Sequence, residues 1–490
     1  MNYRTLVTGL SILFLHLSLA ATFAQSNVVQ VCTEEALRAA IALGGWVSIN
    51  CSGTFTLSAP ITITNQVILD AHNESVAISG NNAVRLFYVA PGASLTATNL
   101  VLANGSVTNS PADGGGIYND GGTVVLVSCV LTNNNARVQS GSGATDVVTR
   151  GGAIFNRSGA VSLFGCGISN NAATVSTLAG WSGYGGAVYN TGGVIQMVAC
   201  NCSSNSCQVA IVGGGGSAMG GGVFQDSGAL LVTNSVFGFN QALAVAQGTV
   251  STTTGPAQGG GLCATGGVVI IDHCQFTGNR VEGTGGDYPS PGLGGAICCS
   301  STLTVESSSF AWNQALAGSI GYHSVSAGIG GGIYNAGSAV LNRSSVYSNY
   351  VQGSHGGIYG ETLQPGGDGL GGGVYNIGLL TVTNCTIALN SAIAGSGLNI
   401  PAWSKVSNNG NALGGGIYNE AYANATSFMM NDTVASNFCI ASGTNFLGTN
   451  GVSAGAQIAN RNVLWLRNSL LAYSGTNGNV WGTAVTDGRL

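Results

Sequence analysis

One hexapeptide recurs along the chain and limits what it can fold into. It reads GGGIYN at Gly114–Asn119, GGAIFN at Gly151–Asn156, GGAVYN at Gly185–Asn190 and GGGVFQ at Gly220–Gln225. It continues as GGGLCA at Gly259–Ala264, GGAICC at Gly294–Cys299, GGGIYN at Gly330–Asn335, GGGVYN at Gly371–Asn376 and GGGIYN at Gly414–Asn419. The aliphatic residue of each copy follows the last by 37, 34, 35, 39, 35, 36, 41 and 43 residues. A second motif trails each copy: Cys, Ser or Asp, then an apolar residue or Cys two on, then an Asn five on. Its Asn residues are Asn134, Asn171, Asn205, Asn240, Asn279, Asn313, Asn349, Asn390 and Asn437.

The two distances behave differently. From the aliphatic to the Asn the count is 17 in five repeats, 16 in three and 20 in the last, whereas from the Asn to the next aliphatic it runs from 17 to 27. Each repeat therefore has a rigid part and a part of free length, and insertions at one point of every repeat put the long loops on one face. Between the motifs, Val124 and Leu126, Val161 and Leu163, Ile195 and Met197, Leu230 and Val232, and Val269 and Ile271 are spaced by two, the period of a half-buried strand. Strands so short, without helical periodicity between them, predict an all-β chain coiled as a parallel β-helix of roughly eleven rungs. In that coil the Gly pairs occupy a corner, and each Asn occupies a turn, its amide bonded to the copy one rung away.

Composition agrees. Glycine supplies 80 of 490 residues, and charged residues only 6%. With 45% apolar residues and a net charge of −5 the chain lacks the signature of disorder, and 8 Pro are too few for collagen. Lys405 is the single lysine, so there is no basic patch for nucleic acid. Residues 1–24 read as a secretory signal peptide: Arg4, an apolar run from Leu6 to Leu19, then Thr22-Phe23-Ala24 before a cleavage point at Gln25. No later stretch is long enough for a spanning helix. Residues 25–98 read as an N-terminal cap and irregular first rungs. The cap is a short helix over Thr33–Ala42, and the strands are Val47–Asn50, Ile61–Leu69 and Leu86–Val89. The repeat helix is expected over 99–474, with Asn99/Asn104 an early copy of the second motif. Residues 475–490 form a tail without a closing cap, which leaves open whether the natural chain continues past Leu490.

The repeat resembles that of chlamydial polymorphic outer-membrane proteins and related secreted right-handed parallel β-helix proteins. GGAIFN at Gly151 and FTGN at Phe276 carry the likeness most closely. The resemblance covers roughly 99–474. It implies a pectin-lyase-like right-handed β-helix exported from a bacterium, extracellular or on the outer-membrane surface. It also implies an adhesin-type role toward glycans or proteins of a cell surface or the extracellular space. Members of that family end in an outer-membrane β-barrel, and nothing after Asn437 is long enough to form one.

Pectin-lyase-like helices also include polysaccharide lyases and hydrolases. A lyase needs clustered carboxylates for Ca²⁺ and a basic residue to take a proton, and a hydrolase needs a carboxylate pair. The acidic residues are scattered singly, with one exception. Asp272 and Glu306 fall in one column on neighbouring rungs, with His273 beside them and Arg343 one rung beyond. We read this cluster as solvated charge, with an acid/base pair as the alternative, and expect no cofactor beyond the Ca²⁺ that a lyase would need. The expectation is thus a non-catalytic surface protein for adhesion or structural contact. A polysaccharide-active enzyme with a site under the long loops is the alternative.

Five of 13 cysteines open the second motif, where Ser and Asp also occur. They read as a stack of small buried residues. Inter-rung disulfides are the alternative, with Cys166–Cys200 as candidate; Cys32–Cys51, flanking the cap helix, is left open. The aromatic column Tyr118, Phe155, Tyr189, Phe224, Tyr334, Tyr375 and Tyr418 is expected to pack beneath the loops rather than to stack sugars.

Overall fold

In the computed structural model the chain is a right-handed parallel β-helix. The described residues are 26–139, 147–177, 181–211, 215–246, 255–285, 287–321, 323–400, 405–422, 425–441, 451–472, 478–482 and 485–486. The expected signal peptide and cleavage point lie outside them. Each complete coil crosses five sheets in a fixed order, as one rung illustrates. Ile154–Arg157 belongs to sheet 1, Ala160–Phe164 to sheet 2, Gly167–Ser169 to sheet 3, Ala172–Thr177 to sheet 4 and Ser182–Tyr184 to sheet 5. Among the described residues these sheets contain 13, 15, 13, 10 and 10 strands. Every neighbouring pair within them is parallel and in register, so that Ile154 faces Val188 and Val161 faces Ile195.

Sheets 1, 2 and 3 enclose the main core. Its columns include Val124, Val161, Ile195 and Leu230, and a ring stack of Phe237, Phe276 and Phe310 with centroids 4.6 and 5.1 Å apart. The segment of free length is more ordered than its sequence suggests. It leaves the core as sheet 4 and returns as sheet 5, and only the link between them varies. Ala136, Val138, Ala173 and Val175 of sheet 4 pack on Ala112 and Ala218 of sheet 5, a second, smaller apolar layer. Alanine-rich alternation over so few residues carries a weak periodic signal, which hides these strands in the sequence.

The glycines solve two separate problems at the entry to sheet 1. The first of each motif adopts a left-handed backbone (Gly151, φ +62°), which a side chain resists. The second lies against the next rung: a Cβ on Gly152 would meet the Gly186 carbonyl oxygen at 2.2 Å.

The N-terminal cap is helix α1, Glu34–Leu43, one residue displaced from the expected span. Thr33 Oγ1 accepts the Ala36 N–H, Glu34 and Glu35 occupy the first turn, and Leu37, Ala40 and Ile41 are buried against the first strands. A Cys32–Cys51 disulfide ties the helix entrance to the coil. The single strand expected over Ile61–Leu69 is two strands, Ile61–Ile63 of sheet 1 and Gln66–Asp70 of sheet 2. The expected early motif is also offset by one residue. Asn99 and Asn104 occupy left-handed corners, and the position of the later ladder Asn is held by Gly105.

Candidate functional site

Asp272 ends the sheet 2 strand Val268–Asp272 and is the register partner of Glu306, which ends Thr302–Glu306. The next residue in each rung turns the corner toward sheet 3 with a left-handed backbone: His273 (φ +52°), Ser307 (φ +46°) and Arg343 (φ +48°). This corner brings the four predicted residues onto three successive rungs. They do not form one constellation. His273 Nδ1 lies 2.7 Å from Asp272 Oδ1, and the Arg343 guanidinium lies 2.6 Å from Glu306 Oε1. Asn342 Nδ2 donates to Glu306 Oε2 at 2.9 Å, and Ser307 Oγ donates to Oε1 at 3.2 Å. Glu306 is buried (5% exposed) with both oxygens engaged, while His273 and Arg343 are exposed. Each acid therefore has its own local partner. Neither carboxylate lines the shallow polar groove beside them, a cavity of about 390 Å³ walled by His273, Gln275, Ser309, Arg343, Ser345 and Thr386. Such walls offer hydroxyls, an imidazole and a guanidinium to a ligand, and no carboxylate.

Among the described residues under the long loops, charged groups are also tied to local partners, Lys405 to Glu361 and Asp368 to Asn411. His323 lies between the rings of Tyr288 and Tyr359, with centroids 4.9 and 3.6 Å away, and His355 bonds Ser396 Oγ and Gln352. Among the described residues no group of three or more His, Cys, Asp or Glu is placed to hold a metal ion.

The nine predicted asparagines form one continuous buried ladder. Asn134 Nδ2 donates to Asn171 Oδ1 at 3.0 Å, Asn171 to Asn205 at 3.0 Å and Asn205 to Asn240 at 2.9 Å. The series runs through Asn279, Asn313, Asn349, Asn390 and Asn437 to Gln457 Oε1. The same Oδ1 also accepts the preceding Asn's backbone N–H, and the second Nδ2 hydrogen reaches a carbonyl one rung back, as from Asn279 to Phe237. A second ladder was missed. The last residue of the hexapeptide links Asn119 to Asn156, Asn190 and Gln225, lapses at Ala264 and Cys299, and resumes from Asn335 to Asn460. Its signal was present in the repeated Tyr-Asn and Phe-Asn pairs.

The cysteine column is a stack of free thiols. Cys166 and Cys200 sit one rung apart and are not joined by a disulfide. Burial pushes the Cys129 and Cys202 thiols up to about 12, so neither is a nucleophile at neutral pH. The aromatic column is buried at Phe155, Tyr189, Phe224, Tyr375 and Tyr418 and half-buried at Tyr118 and Tyr334. Phe155, Tyr189 and Phe224 stack with centroids 5.2 and 5.3 Å apart, wedged between sheet 1 and the Tyr184 and Met219 side chains of sheet 5. Tyr334, Tyr375 and Tyr418 continue it at 5.4 and 5.3 Å.

Compared with known proteins, the chain matches no family model, no curated protein and no solved structure. Among the described residues no helix is long and apolar enough to cross a membrane.

Proposed function

We propose that the protein is a non-catalytic, exported contact protein: a rod that presents polar edges to glycans or proteins outside a bacterial cell or on its outer-membrane surface. The observation that carries this reading is the state of the one acidic cluster. Asp272 and Glu306 are each closed off by a neighbour, His273 and Arg343, and neither faces the adjoining groove. A general acid or base must reach substrate, and a buried carboxylate holding three hydrogen-bonding partners is a structural group. The likeness of the repeat to polymorphic outer-membrane proteins supports the adhesin-type role and the surface location. The thin charge and the regular stacking support a structural rod.

The test is incubation of the purified chain with polygalacturonate and alginate, with and without Ca²⁺, followed by assay for unsaturated and reducing ends. No release is expected. Release that disappears in Asp272→Ala would establish a polysaccharide-active enzyme instead.

A further inference from the structure

The corner between sheets 3 and 4 carries a feature that packing does not account for. In each of nine rungs the residue just before the ladder Asn has a left-handed backbone: Asn133, Asn170, Ser204, Phe239, Gly278, Trp312, Ser348, Leu389 and Ser436. Asn, Ser and Gly suit that conformation, whereas Phe, Trp and Leu meet its steric penalty. Bulky residues accept such strain when burial compensates, yet here they point into solvent. Phe239 and Trp312 are 63% exposed and Leu389 is 51% exposed. Strain held at exposed apolar side chains marks a surface kept for a partner.

Their placement describes that partner. Large and small residues alternate by rung: Phe239, Gly278, Trp312, Ser348, Leu389. At the rung spacing of a parallel sheet, the large residues recur about every 10 Å along the rod. The Phe239 ring lies against Gly278, whose Cβ, if present, would meet it at 2.7 Å. At the next small position the space is open. Trp312 and Leu389 form the ends of a groove of about 390 Å³ floored by Ser348, with Gln314, Tyr350 and Ser391 along one side. The apolar ends suit the C–H face of a sugar, and the amide and hydroxyls suit its edge. No charged side chain lines the groove. Charge complementarity therefore favours a neutral ligand over a uronate.

We infer that this corner is a binding strip for a neutral, extended β-linked glycan. Its chain runs along the rod, with one sugar seated on Ser348 between Trp312 and Leu389. The two-rung period corresponds to the repeat at which an extended β-1,4-linked chain presents the same sugar face again. The inference deepens the contact-protein reading and rests on it, because a glycan held here meets no acid or base.

The test is isothermal titration of the full chain with cellohexaose and xylohexaose, with hexagalacturonate as the charged comparison and the sugars analysed afterwards. At least one neutral hexamer is expected to bind saturably. Trp312→Asn and Leu389→Asn should each weaken it tenfold or more. Both substitutions place a left-handed-tolerant residue at the corner, so the thermal midpoint should hold or rise. That combination separates a binding role from a structural one. Absence of saturable binding to either neutral hexamer, preference for hexagalacturonate, or unchanged affinity in both variants would overturn the inference. So would a sedimentation experiment in which the substitutions abolish self-association, since the strip would then seat a second copy of the chain. Shortened sugars after binding would instead overturn the non-catalytic reading and leave the strip in place.

Discussion

Truncating one mid-rod ladder residue, Asn279→Ala, is expected to cost far more than its size suggests. The Asn279 side chain is fully buried and makes four hydrogen bonds. Its Oδ1 accepts the Asn240 backbone N–H at 3.1 Å and Asn240 Nδ2 at 2.9 Å; its Nδ2 donates to the Phe237 carbonyl at 2.8 Å and to Asn313 Oδ1 at 2.9 Å. After truncation Asn240 Nδ2 keeps the Cys202 carbonyl, and Asn313 Oδ1 keeps the Asn279 N–H. The buried Asn240 N–H loses its acceptor outright. One orphaned donor at ~1–3 kcal/mol and the three remaining lost bonds, to Asn240 Nδ2, the Phe237 carbonyl and Asn313 Oδ1, at ~1 kcal/mol each give about 4–6 kcal/mol. Asn279→Asp sharpens the argument. An ionised carboxylate would turn a second acceptor toward the Phe237 carbonyl and Asn313 Oδ1, so at pH 7 it should be worse than Ala, and it should recover as acid restores a donor. The assay is equilibrium urea unfolding followed by far-ultraviolet circular dichroism. Gln275→Ala, an exposed change on the same rung, serves as the control and should stay within about 0.5 kcal/mol of the parent. In a stacked array a weak rung also divides the cooperative unit, so the Ala variant should unfold over a broader or two-step transition. A loss below about 1 kcal/mol, or an Asp variant more stable than Ala at pH 7, would refute the ladder's role in holding the rungs together.

Two further outcomes follow from the cysteine column. Burial pushes the Asp432 carboxyl up to about 6 from 3.8, with Oδ1 accepting the Cys385 N–H at 2.7 Å and Oδ2 lacking a hydrogen-bond partner among the described residues. A carboxyl raised in the folded state carries no ionisation penalty below its ordinary value. Stability then falls as pH climbs between the two values, here by about 3 kcal/mol. Asp432→Ser, which reproduces the Ser235 Oγ that accepts the Cys200 N–H at 3.0 Å, should therefore be more stable than the parent at pH 7, with a urea midpoint that varies less from pH 4 to pH 7. The second outcome is a thiol count. The native chain should show no rapidly reacting thiol toward a disulfide reagent and 11 after denaturation without reductant; a count two lower would restore a Cys166–Cys200 bond.

What could be read before the fold, and what could not, divides along physical lines. The coil was legible because its three core sheets bury aliphatic residues at fixed intervals, and a parallel stack repeats each environment once per rung: Ile117, Ile154 and Val188 meet the same neighbours and so resemble one another. Sheets 4 and 5 were not legible, because their shared layer is thin and alanine-rich, and Ala136 or Ala218 looks no different in a loop. The corner cluster was legible as a placement but not as chemistry. A column alignment brings Asp272 beside Glu306, yet only side-chain geometry reveals that each is tied to a different partner. The left-handed corner before the ladder was invisible for the opposite reason. Backbone geometry is imposed there by the turn in every rung, so the residue type is free to vary, and variation reads as noise. Once φ is known, that noise becomes the informative part: the turn dictates the conformation, Asn133 and Gly278 are what it prefers, and Trp312 and Leu389 are what the turn itself does not account for.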